Sequence, residues 1–504
     1  MKIRQFLEHH GIARNPFAEE DAQTDPVFKD HCIDSTYHPT WDKIYGDPCE
    51  PATSIVFGEK GAGKTAIRLQ IARHLQQHNR QNPEQRLLVI HYDDFNPFLD
   101  RFREKLSGRR RRRADRVLKE WKLWDHMDAI LSLGVTGLVD RILEIKQPSA
   151  FVDCDLRPEA IAELDRHQSR DLLLLAGCYD QSIATTFKDR WQRLRKRLRF
   201  GTLLAKWTVA LGVGVSAGLL SLVIVLWVKG LSDWLSGGWL YLGLILALAA
   251  WLPWLRRWMK CLWSAFRILR QMRLSNRDNR ALRQVLMQFT PSELAAQPLP
   301  DTESTDDRYE MLIKFQGILQ TLGFHGVIVL VDRLDEPHLI NGSAELMKAL
   351  LWPMLDNKFL KHPGLGLKIM APIELTRFIE REGRDFYQRA RLDKQNMVAS
   401  FEWTGEALYD VANARLAACA ADGATPKLRD LIDESLTDRR LIESLRNLRT
   451  PRHMFKFFYR LLVAHCNSHI DMDPVWRVSG QTFEATLAVY NRDQDAFDRG
   501  LGAG

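Results

Sequence analysis

A glycine-rich motif of the form G-x-x-x-x-G-K-[ST] constrains the fold of this chain more than any other feature. It consists of Gly58, Glu59, Lys60, Gly61, Ala62, Gly63, Lys64 and Thr65. The apolar run from Ser54 to Phe57 precedes it, and a helical pattern from Ala66 to Leu75 follows it. Such a strand–loop–helix context is the one in which backbone N–H groups and a helix N-terminus bind phosphate. The motif therefore predicts an α/β domain built on a parallel sheet.

The residue types of the motif specify the ligand. Glycines let the N–H groups of the loop turn inward around an anion. We expect Lys64 to contact the β- and γ-phosphates of a nucleoside triphosphate and the hydroxyl of Thr65 to ligate Mg²⁺. The alternative is a glycine-rich turn without a ligand, and it is disfavoured because every fixed position of the motif is filled. ATP with Mg²⁺ is the expected ligand pair, with ATP preferred to GTP only by the resemblance given below.

Two long apolar segments in the middle of the chain predict a membrane hairpin. No charged residue interrupts Trp207 to Val228 or Trp239 to Leu255, and Leu235 can extend the second segment. The first segment is long enough to cross a bilayer as a helix. We expect spans at about 207–228 and 235–255 in contact with the lipid bilayer. The alternative is a helical hairpin buried in a soluble core.

Basic residues flank both segments, which is the positive-inside pattern. Those before the first segment are Lys188, Arg190, Arg193, Arg195, Lys196, Arg197, Arg199 and Lys206, and those after the second are Arg256, Arg257, Lys260, Arg267, Arg270 and Arg273. Only Asp189 opposes them. The pattern predicts a cell-membrane protein with two spans, and with both termini and the nucleotide domain in the cytoplasm.

The net charge of +8 is concentrated in these flanks and in the run Arg109–Arg113. This distribution favours a lipid surface over nucleic acid as the partner. The seven cysteines are scattered without a C-x-x-C pair, which indicates a reducing compartment. No histidine pair has zinc-ligand spacing, so we expect no metal beyond Mg²⁺.

A second part of the nucleotide site is predicted far downstream. The apolar run from His325 to Val331 predicts a buried parallel strand, and Asp332 follows it. An acid at the carboxyl end of such a strand lies beside the phosphate loop, so Asp332 is expected to hold Mg²⁺. Either Asp335 or Glu336 is expected to orient the attacking water. A rival site after the run Leu172–Leu175 is disfavoured because that run favours a helix.

The long separation between the loop and Asp332 places the membrane hairpin inside the nucleotide domain. The predicted regions are 1–100 (an N-terminal segment packed on the nucleotide domain, and the first part of the core), 101–200 (helical insertion), 201–260 (membrane hairpin), 261–308 (basic helical region and linker), 309–403 (second part of the core), 404–470 (helical lid) and 471–504 (a tail in which regular structure is doubtful). The tail is rich in aspartate and ends in glycines.

These features resemble the KAP P-loop NTPases, whose membrane helices lie between the phosphate loop and the Walker-B strand. Three segments carry the resemblance: the loop Gly58–Thr65, the acidic pattern from Asp332 to Asp335, and Arg449–Phe457, which is similar to an N-P-R motif at the start of a lid helix. The resemblance covers about residues 50–465. AAA+ and STAND switch ATPases share the loop and the lid.

The chain departs from the family pattern at three positions. Arg333 stands where a second aspartate is common, Glu336 replaces a later arginine, and Thr450 stands where asparagine is usual. The assignment of the catalytic acid therefore stays open between Asp335 and Glu336. The resemblance implies a switch ATPase, with signalling or anti-phage defence as settings.

Arginines near the carboxyl end of the core are further candidates. Arg452 follows Pro451 at a predicted helix start, where it is expected to contact the γ-phosphate and couple the nucleotide state to the lid. The alternative is an ordinary arginine at a helix start. Arg389 and Arg391 are weaker candidates for arginine fingers offered to a neighbouring subunit of a homo-oligomer.

Two functions remain open. The first is a membrane-anchored, Mg²⁺-dependent ATPase that acts as a nucleotide-driven switch. The second is a nucleotide-binding scaffold with little hydrolysis whose ATP state controls oligomerisation, and Arg333 supports it. A transporter is disfavoured because the apolar segments carry no ionisable residue. A soluble nucleic-acid ATPase would require the hairpin to be buried.

Overall fold

The structure is a computed structural model that describes residues 1–106, 108, 113–145, 152–153, 156–182, 186–202, 204–229, 239–295, 297–470 and 472–498. Most of the arginine run, the turn between the two apolar segments, and the glycine-rich end of the tail lie outside these residues. The chain divides into two compact units. The first unit comprises Met1–Pro83 and Ile328–Gly504, and the second comprises Glu84–Val327.

The chain is mixed α/β and mostly helical. The first unit begins with α1 (Ile3–His9), α2 (Trp41–Tyr45), β1 (Ser54–Gly58) and α3 (Lys64–Gln81). The second unit contains β2 (Arg86–Tyr92), α4 (Asn96–Lys105), α5 (Ala114–Lys119), α6 (Leu123–Ile142), β3 (Val152–Asp153), α7 (Pro158–Glu163), α8 (Arg166–Tyr179), α9 (Phe187–Arg197), α10 (Trp207–Val228), α11 (Trp239–Gln271), α12 (Asn279–Leu286), α13 (Pro291–Ala295) and α14 (Asp306–Thr321).

Strand β4 (Phe324–Val331) starts in the second unit and ends in the first. The first unit continues with α15 (Ala344–Leu351), α16 (Asn357–Leu360), β5 (Leu365–Pro372), α17 (Thr376–Glu380), α18 (Arg384–Ala390), β6 (Asn396–Val398), α19 (Gly405–Ala418), α20 (Asp438–Leu448), α21 (Pro451–Asn467) and α22 (Gly480–Asp498).

A parallel sheet organises the first unit, as the sequence predicted. Its strands lie in the order β4-β5-β1-β6. Strand β1 pairs in parallel with β5, where Gly58 lies opposite Pro372, and with β6, where Ser54 lies opposite Asn396. Every residue of β1 and of β5 is buried, because helices and neighbouring segments cover both faces of the sheet. The carboxyl end of β1 leads directly into the glycine-rich loop.

The N-terminal segment packs on the helices at the other end of the chain. The ammonium group of Met1 donates to the carbonyl of His469 at 2.6 Å, and the amide of Ala13 donates to the carbonyl of Cys419 at 2.8 Å. Phe6 and Phe17 are buried in the same apolar cluster as residues of α19 to α22. The start of the segment therefore packs on α19 to α22, whereas its later part packs on the core: the side-chain amide of Gln70 in α3 donates to the carbonyls of Ile33 and Thr36, and α2 packs on β1.

Our expectation for the C-terminal tail was wrong. Residues Gly480 to Asp498 form a helix rather than irregular structure. Its buried side chains Phe483, Leu487 and Tyr490 follow the i, i+4, i+7 spacing of one helix face. The aspartates lie on the rest of the helix and hide this spacing in the sequence.

The second unit is mainly helical, and buried ion pairs join its helices. The Nη2 atom of Arg273 lies 2.6 Å from the carboxylate of Asp125, and Nε of Arg190 lies 2.6 Å from that of Asp180. Strands β2 and β3 pair antiparallel in this unit. The leucine run Leu172–Leu175 lies inside α8, which confirms the predicted helix at the rival acidic site.

Among the described residues, α10 is the one helix that is long and apolar enough to cross a membrane. Its apolar side chains are exposed, and those of the adjoining part of α11 are exposed as well. The two helices pack against each other, and the indole Nε1 of Trp251 donates to Oγ of Ser216 at 3.1 Å. Helix α11 continues past the second predicted segment to Gln271, and the start of that segment lies outside the described residues. A second span therefore stays a prediction.

Candidate nucleotide-binding site

The glycine-rich loop joins β1 to α3 in the first unit. Gly61 and Gly63 have φ values of +87° and +96°, which side chains with a Cβ atom rarely adopt. The Nζ atom of Lys64 donates to the carbonyls of Gly58 and Glu59 at 2.7 and 2.9 Å. The lysine is thus held over the loop by the loop's own carbonyl oxygens.

The negative charges of three carboxylates influence the pKa of Lys64. Burial lowers the pKa of Lys64, while the negative charges of Asp332, Asp335 and Glu374 raise it. Glu374 follows Ile373 just after the end of β5, the strand beside β1, so its position follows from the sheet order. The site therefore combines the partly buried cation of Lys64 with acids that follow two neighbouring strands.

Asp332 follows β4 and lies against the start of α3. The hydroxyl of Thr65 donates to Oδ2 of Asp332 at 3.0 Å, and Nε of Arg68 lies 3.3 Å from the same oxygen. Asp332 and Arg68 are both buried. Burial raises the pKa of Asp332, and the guanidinium of Arg68 is the strongest opposing influence. The motif did not single out Arg68, although it lies one helical turn after Thr65 on the same face of α3.

The turn after Asp332 carries the two candidate acids. Arg333 has a φ of +61°, which strains a residue other than glycine. Its Nη1 atom lies 3.5 Å from Oε2 of Glu336, and its Nη2 atom donates to the side-chain oxygen of Gln23. The Glu336 side chain is 58% exposed. Burial raises the pKa of Glu336, and the charge of Arg333 opposes this shift. Glu336 is thus an exposed acid paired with Arg333, whereas the negative charge of Asp335 raises the pKa of Lys64.

Helix α21 brings Arg452 to the loop. The side chain of Thr450 caps the helix by accepting from the amide of His453 at 3.3 Å. The amide of Arg452 donates to the carbonyl of Gly61 at 3.4 Å, and a Cβ atom on Gly61 would lie 2.6 Å from that of Arg452. The glycine at this position therefore lets α21 approach the loop closely.

The guanidinium of Arg452 lines the same cavity as the loop. Its buried Nε atom makes no hydrogen bond within the described part of the chain, and the nearest carboxylate oxygen, Oε2 of Glu20, lies 3.9 Å away. An N–H group in this position can donate to a further ligand oxygen.

Aromatic residues after β6 hold the other side of the loop. The indole of Trp403 donates to the carbonyl of Ala62 at 2.7 Å, and the amide of Phe401 donates to the carbonyl of Phe57 at 2.8 Å. Both rings lie within van der Waals distance of the position that a Cβ atom of Gly63 would take. These contacts fix the loop from the strand end and would be missed from sequence spacing.

The cavity extends from the loop toward an apolar wall. Phe28, Val411 and Phe455 form this wall, and they belong to the apolar cluster of α19 to α22 or pack against it. Nearby, Nε of the buried Arg415 donates to the carbonyl of Pro16 at 2.6 Å, and its Nη1 atom pairs with Asp25. The N-terminal segment therefore shapes the cavity, which no motif in the sequence predicted.

The structure brings most of the predicted site residues into one cavity. Its lining includes Lys60, Gly61, Gly63, Lys64, Thr65, Asp332, Asp335, Glu336 and Arg452. Gly58, Glu59 and Ala62 contribute through their carbonyl oxygens instead. Arg389 and Arg391 do not line the cavity, and Nε of Arg391 lies 3.4 Å from the carboxylate of Asp393.

The protein alone does not supply a complete metal-ligand set in the described residues. No group of three or more histidine, cysteine, aspartate or glutamate side chains there could hold a metal ion. Thr65 and Asp332 present two adjacent oxygens, which fits Mg²⁺ if phosphate and water oxygens complete the coordination.

Comparisons of the chain with protein-family models, with curated proteins and with solved structures give no match. The resemblance to the KAP NTPases stays a prediction that rests on the three segments quoted above. The site is therefore interpreted from its own geometry.

Proposed function

We propose that this chain is a membrane-anchored, Mg²⁺-dependent ATPase that works as a nucleotide-driven switch. One observation carries the proposal: a single cavity collects the phosphate loop, Asp332 and the lid residue Arg452, which are far apart in the sequence. The glycine-rich loop, the acid at a strand end and the helix N-terminus together make a site for a polyphosphate.

The phosphates of the nucleotide would lie along the loop. Lys64 would leave the carbonyls of Gly58 and Glu59 to contact the β- and γ-phosphates. Thr65 and Asp332 would hold Mg²⁺, which supplies charge neutralisation to the phosphates. The contact between Thr65 and Asp332 supports this assignment, because the two oxygens already lie side by side.

The base of the nucleotide would lie against the apolar wall formed by Phe28, Val411 and Phe455. Such a wall buries the flat surface of a base, while the polar loop contacts the phosphates. The preference for ATP over GTP rests on the family resemblance. Because the wall comes from the N-terminal segment and the lid, nucleotide binding would hold these segments on the core.

Asp335 is the better candidate for the acid that orients the attacking water. Asp335 lines the cavity and its negative charge raises the pKa of Lys64, which supports a position facing the expected γ-phosphate. Glu336 is more than half exposed and faces Arg333. A general base needs to lie within hydrogen-bonding reach of the water that it orients. The proposal therefore assigns Asp335 to this role and Glu336 to the rim.

Arg452 would report the nucleotide state to the lid. Its unsatisfied Nε–H group and its contact with Gly61 support a direct bond to the γ-phosphate. Hydrolysis would remove that bond and release α21 from the loop. In this way a local change in charge would move a whole group of helices.

The exposed apolar surfaces of α10 and α11 support a membrane anchor. Both helices present large side chains that a soluble protein would bury. The two predicted spans at 207–228 and 235–255 would leave the nucleotide unit on the cytoplasmic side, as the basic flanks predict.

Equilibrium binding tests the nucleotide assignment. We expect the full chain in mild detergent to bind ATP, and Lys64→Ala to weaken this binding by at least about tenfold, since a charge-assisted contact to phosphate is lost. Lys361→Ala is the control, because that lysine is exposed and lies outside the cavity. Equal binding by all three proteins would contradict the proposal.

The scaffold alternative predicts a different pair of results. It requires tight ATP binding with no turnover and a change in oligomer size on binding, which light scattering would detect. Arg333, which stands where the resembled family commonly has a second aspartate, is the residue that favours it. Turnover that depends on Asp335 would contradict it.

A further inference from the structure

A second cavity lies in the helical unit, apart from the nucleotide site. It has a volume of about 340 Å³ and lies between α9, α12 and the part of α11 that contains Trp258. Among the described residues that line it, none is acidic and three are basic: Lys188, Arg195 and Arg283. A cavity with this charge and no compensating carboxylate is suited to an anion.

The cations of the cavity have no acidic partner in the described residues. The side chains of Lys188 and Arg283 form no hydrogen bond or ion pair with another described residue, and Nη1 of Arg195 donates only to neutral oxygens, Oε1 of Gln288 at 3.1 Å and Oγ1 of Thr202 at 3.5 Å. The guanidinium of Arg283 lies 4.7 Å from the centre of the Trp258 ring, and that of Arg195 lies 6.0 Å from the centre of the Trp191 ring. The tryptophan rings therefore hold two arginines in place without neutralising them.

The cavity lies at the depth expected for lipid headgroups. Helix α11 runs without a break from the second predicted span to Trp258, which is about 4.5 Å along the helix axis beyond Leu255 at 1.5 Å per residue. Tryptophan at this depth is typical of the membrane interface.

Arg257 fixes the cavity to the base of the hairpin. Its buried guanidinium donates to the carbonyls of Met287 and Phe289 at 2.7 and 2.6 Å, and also to the carbonyl of Ala205, just before α10. These bonds join the end of α12 to the bases of α10 and α11. The cavity therefore keeps one position relative to both helices.

We infer that this cavity binds the phosphate group of an anionic phospholipid, with Lys188, Arg195 and Arg283 as the contacting residues. Arginine forks and lysine ammonium groups recognise phosphate, and basic pockets beside membrane helices bind anionic headgroups. The inference rests on the membrane anchor in the proposed function, but not on ATP hydrolysis. It goes beyond the general attraction of basic flanks to lipid, because it names a cavity that selects a headgroup.

Native mass spectrometry of the full chain in mild detergent tests the inference by titration with dioleoyl phosphatidic acid and, separately, dioleoyl phosphatidylcholine. The double variant Lys188→Gln/Arg283→Gln should bind phosphatidic acid roughly thirtyfold more weakly than the wild type, because two basic contacts are lost. The matched control is Arg193→Gln/Lys196→Gln, which removes one arginine and one lysine from exposed positions of the same helix, α9, outside the cavity. The control should bind like the wild type.

The outcomes distinguish a lipid phosphate from a free phosphate, and the phospholipid site from the membrane anchor. Equal weakening in both double variants would show general surface attraction and overturn the inference, as would no weakening in either. Displacement of phosphatidic acid by inorganic phosphate at matched concentration would assign the cavity to a soluble phosphate and also overturn it. Flotation with vesicles of phosphatidylcholine alone tests the membrane anchor separately. A chain that floats with these vesicles but shows no preference for phosphatidic acid would overturn the phospholipid site and leave the membrane anchor standing. Unchanged thermal unfolding of both double variants checks that they are folded.

Discussion

Strand β1 and helix α10 are both apolar, yet their side chains meet opposite surroundings. Ile55, Val56 and Phe57 of β1 are 0% exposed, whereas Trp227 and Val228 of α10 are 72% and 73% exposed. The strand is covered by its neighbours and ends in a loop suited to phosphate. The helix presents its apolar surface outward, as a protein surface facing lipid would. An apolar run thus predicts a segment that avoids water. Only the surrounding structure tells whether other parts of the protein cover that segment or leave it open to a membrane.

The largest expected effect concerns the acid that is proposed to orient the attacking water. Asp335→Asn should lower ATP turnover by at least about a hundredfold, since it removes the acid proposed to orient the water. Glu336→Gln, the matched control on the next residue, should change turnover by no more than a few fold because Glu336 is exposed and faces Arg333. Steady-state phosphate release measures both. The reverse ranking would assign the role to Glu336.

The second prediction concerns the contact between lid and loop. Arg452→Ala should weaken ATP binding by about tenfold, through loss of a charge-assisted bond to phosphate. Lys456→Ala is the control, because Lys456 also approaches Glu20, at 3.4 Å, but does not line the cavity. Calorimetric titration with ATP would show the difference. If both variants lose the same affinity, the effect comes from Glu20 and not from the nucleotide.

The third prediction concerns the packing of α10 against α11. A Cβ atom on Gly212 would lie 2.8 Å from the Trp251 ring, whereas one on Gly214 would meet nothing within 4 Å. Gly212→Leu should therefore destabilise the packing of α10 on α11 by about 1–3 kcal/mol. Gly214→Leu should leave it unchanged, since leucine there would face lipid. Thermal unfolding in detergent compares the two, and equal losses would contradict the observed packing.

The smallest effect is a shift in the pH profile. The proposed role of Asp332 as a Mg²⁺ ligand needs its carboxylate form, and burial raises the pKa of this residue above its usual 3.8. Turnover should therefore fall, as the pH decreases, at a higher pH than an ordinary aspartate would cause. Arg68→Met removes the positive charge that lowers this pKa most. The fall in turnover at acidic pH should therefore occur at a still higher pH in this variant than in the wild type.

Arg73→Met is the control for this shift, since Arg73 lies on the same helix with its side chain 44% exposed and pairs with Asp34. Turnover measured across the pH range would give the midpoints of the acid limbs. A midpoint for Arg68→Met equal to that of the wild type would contradict the role of the ion pair.

Local patterns were enough to predict strands β1 and β4 of the first unit and, closely, the starts of helices α3 and α21. The run before Asp332, the loop at Gly58–Thr65 and the proline at the start of α21 each carry their signal within a few residues. The contacts of Arg68 with Asp332 and of Arg452 with Gly61 were not predicted, because they depend on how distant segments meet.

The N-terminal segment and α22 show where sequence reasoning stopped. Phe28 lines the apolar wall, and Arg415 donates to the carbonyl of Pro16, which lies 399 residues earlier in the chain. No local period encodes such a contact. In α22 the period was present, but aspartates and terminal glycines obscured it. The site's charged half was therefore easier to predict than its apolar half.

The most direct test of the account is Mg²⁺-dependent phosphate release by the full chain in phosphatidylcholine nanodiscs, with wild type and Lys64→Ala measured side by side. The account predicts turnover by the wild type that needs Mg²⁺ and that falls at least about a hundredfold in the variant. Equal rates in the two proteins, or no Mg²⁺-dependent rate in either, would contradict it.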